Sequence, residues 1–392
     1  MMEDIVEAPY FTLVERDRRW GQLRRLMRAA DCDCLVAWDL AGDPVQRSAR
    51  YLAQIGGGTF GTTVVLPLEG EPTAFLTREI GGEAASRART WITDLRFGDR
   101  PEAIAEHLRE DGLGEARVGV TSMGNGESSD FAGVAAALER FLPKAVFYTD
   151  ESLLRTAHLV KGPEEIELIQ LVMVANEFAF GTMCSRMQPD GSKDDILKTM
   201  TSVLFRAGGG PPAQLVLSFD GMVDPGMALV VPDRIPEGCL CSPEISARIF
   251  GYQAESNHTI LIGEAPADYP DALRATVDVF DEVRGWARPG VTVREICEYF
   301  EVICRAKRLE PAADLLIHAN GVYDWPHVGP RSVGGPEGDL ELQPGHAFTL
   351  KPTVRLASGT ATQYGEAITI TESGARRLAK RDPAPVVVGR TD

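Results

Sequence analysis

The sequence predicts two domains in series, an α/β domain followed by a duplicated α+β domain. Three observations carry this. The chain has 392 residues, more than one ordinary core and enough for two domains. From about Asp33, short β-rich runs alternate with helix-like stretches. Beyond residue 158, a helix–turn–helix pattern recurs at an offset of 100 residues.

In the first part, the β-rich runs are Cys34 to Trp38, Thr62 to Leu68, Pro72 to Leu76 and Val118 to Val120, and the stretch Glu102 to Arg109 has helical periodicity. Gly56-Gly57-Gly58 lies between a helix-like segment and a strand without a following helix or a Lys-Ser/Thr pair, so it reads as a tight connection rather than a phosphate loop. Leu159 to Ile166 closes the domain. Pro163 suits a first helical turn, Glu164 and Glu165 complement its positive end, and an apolar-periodic run follows to Met187. The expected domains are residues 1–157 and 158–392.

The repeat sets Gln188-Pro189-Asp190-Gly191-Ser192 with Asp195-Ile196 against Arg288-Pro289-Gly290-Val291-Thr292 with Glu295-Ile296. Each copy turns at Pro and Gly and restarts a helix with a Ser/Thr-x-x-Asp/Glu capping box. Duplication and independently arisen turn chemistry both account for this pattern.

Composition narrows the function classes. An apolar fraction of 44% with 25% charged residues is that of a folded globular chain. A net charge of -17 opposes a phosphate-backbone partner, so nucleic acid is not expected. No run of about 18 apolar residues stands out, and Met1-Met2-Glu3-Asp4 is acidic where a signal peptide is basic, so a cytoplasmic protein with no membrane partner is expected. Seven cysteines, an odd number, fit a reducing compartment. The pairs Cys32/Cys34 and Cys239/Cys241 read as buried structural thiols, since zinc needs more ligands.

Four segments in the second half, spanning residues 158 to 385, carry a family resemblance. In the first, Glu244-Ile245-Ser246 is followed by Gly251-Tyr252, by Glu255 eleven residues after Glu244, and by Thr259 and Gly263. It resembles the Asp-x-Gly-x7-8-Asp-x-Thr-Arg-Thr segment of the creatinase, aminopeptidase P and prolidase (pita-bread) family. His318-Ala319-Asn320-Gly321 resembles the His-Gly-x-Gly that carries that family's ligand histidine. The run from Leu342 through Pro344-Gly345 to Lys351-Pro352 resembles Leu-x-Pro-Gly-Met-x-Phe-Thr-x-Glu-Pro, with Lys351 at the ligand glutamate. Gly365-Glu366 through Thr371 to Gly374 resembles the last strand, Glu-Asp-x-Val-x-Val-Thr-x-x-Gly, leaving Glu366 as its carboxylate. The resemblance implies a creatinase-type N-terminal α/β domain and a pita-bread catalytic domain, nearest to the metal-free creatinase and ectoine hydrolase branch. It also implies a homodimer.

A dinuclear site needs hard oxygen ligands and an imidazole. Glu244, Glu255, His318 and Glu366 offer three carboxylates and one ring nitrogen. Lys351 at neutral pH offers no lone pair and competes with a cation for the same field. The expectation is therefore no cofactor; the alternative is one divalent metal at Glu244, Glu255, His318 and Glu366. Lys351 either turns into this site, if its register follows the family's, or faces outward to neutralise acidic surface.

Glu244-Ile245-Ser246 resembles the Glu-Ile-Ser of ectoine hydrolases, which implies Glu244 as nucleophile or general base. On that reading His318 protonates the leaving nitrogen and Glu366 orients substrate N–H groups. Lys351, Glu255, Tyr252, Trp325 and His327 bind substrate, with Lys351 on a carboxylate or oxyanion. Phe219 to Gly226 contains no histidine where the peptidases and creatinase carry one. His258 stands for the usual arginine and reads as a strand-end hydrogen-bonder, and His346 as a structural or solvated loop residue. The expected activity is metal-independent hydrolysis or elimination at a C–N bond of a small polar amino-acid derivative. The alternatives are a metal-dependent Xaa-Pro peptidase-like or lyase enzyme with altered ligands, and a catalytically silent binding protein.

Overall fold

The apolar runs of the first part become buried strands of one sheet. The computed structural model describes residues 10–39, 45–55, 61–77, 90–98, 100–123, 131–208, 210–219, 234–264, 266–323 and 325–389. Gly56-Gly57-Gly58 and residues 220–226 lie outside these. The chain divides into two compact units, Met1–Glu164 and Glu165–Asp392.

In the first unit, α1 (Leu13–Ala29) leads to β1 (Cys34–Asp39), α2 (Arg47–Ala53), β2 (Thr62–Pro67), β3 (Thr73–Leu76) and β4 (Asp94–Phe97). Then come α3 (Pro101–Glu110), β5 (Arg117–Thr121), α4 (Phe131–Phe141), β6 (Val146–Thr149) and α5 (Ser152–Leu159). The six strands pair in the order β4-β3-β2-β1-β5-β6. β1 lies parallel to β5 and antiparallel to β2. Val36, Val65, Phe75, Val118 and Val120 pack with Ile104 and Leu108 of α3 and Leu138 of α4 on one face of the sheet. Leu35, Ala37, Val64 and Leu66, which alternate with them on β1 and β2, are buried as well, so these strands are apolar on successive residues.

The helix α6 (Pro163–Cys184) contains the division between the units. By length and composition it could cross a membrane, with mean hydropathy 1.3 over its most apolar stretch, half of which is buried inside the fold. It is not an unbroken apolar run, since Glu167, Gln170, Asn176 and Glu177 interrupt it. Its Asn176, fully buried, donates to Ala254 O at 2.8 Å and accepts from Ala247 N at 2.7 Å, tying this core helix to the strands of the site.

α7 (Lys193–Gly208) and β7 (Gln214–Phe219) follow, then β8 (Cys239–Ser246), the hairpin β9 (Arg248–Ile249) and β10 (Tyr252–Gln253), β11 (Ser256–His258) and β12 (Ile260–Ile262). The second half has α8 (Tyr269–Trp286), α9 (Val293–Lys307), β13 (Glu310–Pro311), β14 (Ile317–Ala319) and β15 (His327–Val328). It ends with β16 (Ala347–Leu350), β17 (Thr353–Arg355), β18 (Ala361–Thr371), β19 (Gly374–Arg377) and β20 (Val387–Val388).

The two turns of the sequence repeat are alike in structure. Asp190 and Gly290 both take positive φ, 59° and 88°. Ser192 and Thr292 each form an isolated antiparallel bridge, to Arg234 and Glu341. Thr292 completes its capping box with Glu295, and Ser192 Oγ accepts from Asp195 N at 3.1 Å. The two helical pairs feed one large sheet whose main path runs β15-β14-β16-β18-β11-β8-β12-β20. Cys32, Cys34, Cys239 and Cys241 are buried, as their pattern predicts.

Candidate functional site

Strand alternation decides which side chains meet. Across β8, β11 and β18, Asn257 stands opposite Glu244 on one side and Gly365 on the other, so these three positions share one face. Leu350 pairs with Glu366, which brings Lys351, the next residue, over Gly365. The row therefore reads Glu244, Asn257, Gly365, Lys351. Glu255 is two residues before Asn257 and lies on the same face.

Lys351 turns inward. Its Nζ lies 2.7 Å from Glu255 Oε1 and 3.2 Å from Glu244 Oε1. The second oxygen of Glu255 faces His318 Nε2 at 3.5 Å. The second oxygen of Glu244 accepts from Gln214 Nε2 at 2.5 Å, a contact made because β7 pairs antiparallel with β8. Thr349, opposite His318, donates to Asn320 Oδ1 at 2.8 Å and accepts from the Glu255 amide at 3.3 Å, so the backbone beside the ion pair is also held.

Burial makes these charges matter. The side chains of Lys351 and Glu255 are 5% and 4% exposed, whereas Glu244 keeps 12% and is the most accessible of the three. Burial alone pushes the Glu255 carboxyl up, but the Lys351 ammonium and then His318 outweigh it and hold Glu255 well below the usual carboxylate range. Burial pulls the Lys351 ammonium down, and the charges of Glu255 and Glu244 outweigh it and raise it. Both groups are ionised at neutral pH, and the one ammonium is shared by the side chains of Glu255 and Glu244.

Two expected site residues lie elsewhere. Glu366 is one residue out of step with Gly365, so its side chain leaves the opposite face of the sheet. There Arg377 Nη2 pairs with Glu366 Oε1 at 2.7 Å, Arg377 Nε donates to Oε2 at 3.1 Å, and the Tyr364 hydroxyl donates to Oε1. Counting back from Gly374 through the last-strand pattern sets Gly365 at its glutamate and Glu366 at the following aspartate. Glu366 is thus a structural ion-pair partner, which corrects its expected place in the site. Tyr252 is also corrected: it is fully buried and donates to Glu165 Oε1 at 2.7 Å rather than reaching the ion pair. The expected use of Lys351 as a clamp for a substrate carboxylate changes as well, because the ammonium is already shared by the buried Glu255 and the partly buried Glu244.

His327 stands directly opposite His318, with ring centroids 5.3 Å apart, and is exposed. Trp325 is half-buried and donates from Nε1 to Glu337 at 3.3 Å. His258 faces the helical side, stacked on Phe180 at 5.3 Å and edge-on to Tyr364. Burial, followed by the charge of Arg381, pushes it down to about 3. It ends β11, as expected, and there it is a packed neutral ring. His346 is buried and its Nδ1 accepts from Gln343 N at 3.3 Å, a structural role.

Sequence reasoning missed Gln214, Asn257 and Gly365. The last two were reachable by stepping two residues along a strand from Glu255 and by counting from Gly374. Gln214 had no such signal, since strand pairing alone brings it to Glu244.

The donors do not fit a two-cation centre. The place between Glu244 and Glu255 is filled by an ammonium, the position over Gly365 offers no oxygen, and Glu366 is turned away. Among the described residues no three His, Cys, Asp or Glu side chains converge to hold a metal.

Comparison with known proteins sets this site in context. Residues 167–373 match the family described as Metallopeptidase family M24. The chain is 19% identical over 244 residues to an Xaa-Pro dipeptidase of Pyrococcus furiosus, covering 59% of this chain and 66% of that protein, just under two thirds. It is 25% identical over 327 residues to a probable dipeptidase PepE of Mycobacterium tuberculosis, covering 80% of this chain and 82% of the relative. Among solved structures, the Xaa-Pro dipeptidase from Bacillus anthracis superposes with a TM-score of 0.77 at 17% identity, over 95% of this chain and all of that one. This last likeness shows the pita-bread fold with its N-terminal domain.

Proposed function

The chain belongs to the metallopeptidase family M24, and from that premise we propose that it is a hydrolase or lyase that cleaves a C–N bond in a small polar amino-acid derivative without a divalent metal. The observation that carries the proposal is the Lys351 ammonium 2.7 Å from Glu255 and 3.2 Å from Glu244, a fixed positive charge between two carboxylates. Glu244 is the reacting carboxylate. It is the most accessible of the trio, and its two oxygens are held by Lys351 and Gln214. It activates water or attacks the substrate carbon, while Glu255, engaged on both oxygens, serves as the counter-ion that keeps Lys351 in place. His318 delivers the proton that the leaving nitrogen takes as its bond to carbon breaks, and the exposed His327 and half-buried Trp325 line the approach.

With two carboxyl side chains around one ammonium, the pocket suits a nitrogen-rich group of the substrate better than an anionic one. The proposal includes a cytoplasmic homodimer, checked by light scattering of the purified protein. The test of the chemistry combines metal analysis with turnover of small amides, amidines and ureides before and after chelation. Turnover unaffected by chelation, with metal far below one equivalent, supports it. Stoichiometric iron, manganese, cobalt or zinc whose removal abolishes activity overturns it.

A second reading, a metal-dependent dipeptidase, is favoured by the names of the relatives. Cleavage of Xaa-Pro dipeptides that depends on added metal would establish it.

A further inference from the structure

We infer that Lys351 and Gly365 are one coupled replacement: the chain closes over the bare glycine, and the lysine carries the cation of the site as part of its own covalent structure. This rests on the metal-free reading above and deepens it, since it says what takes the cation's place.

The register supplies the first step. Gly365 lies in the row with Glu244 and Asn257, on the face where the ion pair forms, while Glu366 leaves the opposite face to meet Arg377. The position that would aim an oxygen at the two carboxylates is therefore 365, and it has no side chain.

Space supplies the second. A Cβ at 365 would overlap the Lys351 Cβ and lie 2.8 Å from the Lys351 Cα and 2.9 Å from Asn257 Oδ1. Two of these atoms, Cα and Cβ, belong to any residue at 351 except glycine. The exclusion therefore comes from how closely β18 and the segment after β16 approach, not from the reach of the lysine. That approach is fixed from the other side by Lys351 N donating to Leu316 O at 2.8 Å. A side chain at 365 can enter only if this segment moves away, and moving it withdraws the ammonium from Glu255.

The third step is charge. Glu255 is 3% exposed and Lys351 4%, so neither ion is solvated enough to stand alone. The ammonium is the group that permits Glu255 to remain ionised where it is. Removing the lysine side chain without altering the strand leaves a cavity whose shape and charge match a primary alkylammonium, or one small divalent ion between Glu244 and Glu255, and leaves Gly365 contributing nothing.

The experiment uses the full-length protein and two variants. Lys351→Ala is titrated with ethylammonium and, separately, with Mn2+, following ethylammonium by saturation-transfer NMR and Mn2+ by equilibrium dialysis. The expected result is saturable binding of either ion at one per chain, each displacing the other, with neither bound by the wild type. Gly365→Ala is examined by thermal unfolding and, where it remains folded, by crystallography. The expected result is a fall in Tm of about 5 °C or more with Lys351 moved away from Glu255, or failure to fold. Two outcomes overturn the inference: Lys351→Ala taking up neither ion, or Gly365→Ala retaining the wild-type Tm with Lys351 unmoved. Neither outcome depends on turnover, so a metal-requiring activity would sink the functional reading on separate grounds.

Discussion

Lys351 Nζ lies 2.7 Å from Glu255 Oε1, and with both side chains about 5% exposed or less this is a buried ion pair rather than a surface one. Removing one partner of such a pair leaves an uncompensated charge and costs roughly 3–5 kcal/mol. Lys351→Met should therefore be strongly destabilised in urea unfolding.

The pH dependence of that variant has a definite sign. In the wild type Glu255 is depressed, so its contribution is complete above the unfolded value of about 4.3 and is lost only as pH falls toward its folded value. Lys351 is raised, so its contribution is complete below about 10.4 and is lost as pH rises through its folded value. Between those limits the pair contributes a constant amount. Without the ammonium, burial raises Glu255 instead, and stability then falls as pH rises above the unfolded value. Lys351→Met should thus be less stable relative to wild type at pH 8 than at pH 5. Equal deficits at both pH values would contradict the assignment of Glu255 as its counter-ion.

Glu366 and Glu244 separate structure from chemistry. Glu366→Gln weakens a bidentate contact to Arg377, whose side chain is 27% exposed, and should cost about 1–3 kcal/mol while leaving turnover intact. Glu244→Gln keeps the volume but removes the reacting carboxylate, and should lower turnover about 10²–10⁴-fold with little change in Tm. Unfolding curves and turnover of both variants on one substrate check this, and a loss of turnover in Glu366→Gln would return that residue to the site.

How far the sequence reached follows from the kind of information each residue depends on. Glu244, Glu255, His318 and Lys351 were legible because fixed spacing along continuous segments places them, and the repeat turns at Pro189 and Pro289 were legible because capping chemistry is local. Glu366 was misplaced because a shift of one residue in a strand moves a side chain to the other face. Gln214 was invisible because it reaches Glu244 through pairing of β7 with β8, thirty residues apart in sequence. Tyr252 was misread because its partner, Glu165, is 87 residues away on α6.

The cap of α9 offers a local test of the second helical pair. Thr292 accepts from Glu295 N, while Glu295 accepts from Thr292 N at 2.8 Å. Thr292→Ala should cost about 1 kcal/mol, read as a lower urea midpoint at unchanged slope. No change in midpoint would mean that the turn at Pro289-Gly290, not the cap, holds the helix start.

His258 gives the clearest acid-sensitive element away from the site. It is fully buried and pushed down to about 3, first by burial and then by Arg381. A histidine depressed in the folded state binds its proton more readily when unfolded, so its neutral packing contributes fully above about 6.5, and that contribution is lost as pH falls toward the folded value. The difference corresponds to roughly 4–5 kcal/mol at most over that interval, at 1.36 kcal/mol per unit. His258→Phe keeps a ring to stack on Phe180 and removes the titration. Its stability relative to wild type should therefore improve steadily between pH 6.5 and pH 4, whatever the offset at neutral pH. Parallel stability profiles for the two proteins across that interval would mean that His258 gains its proton without loss of packing.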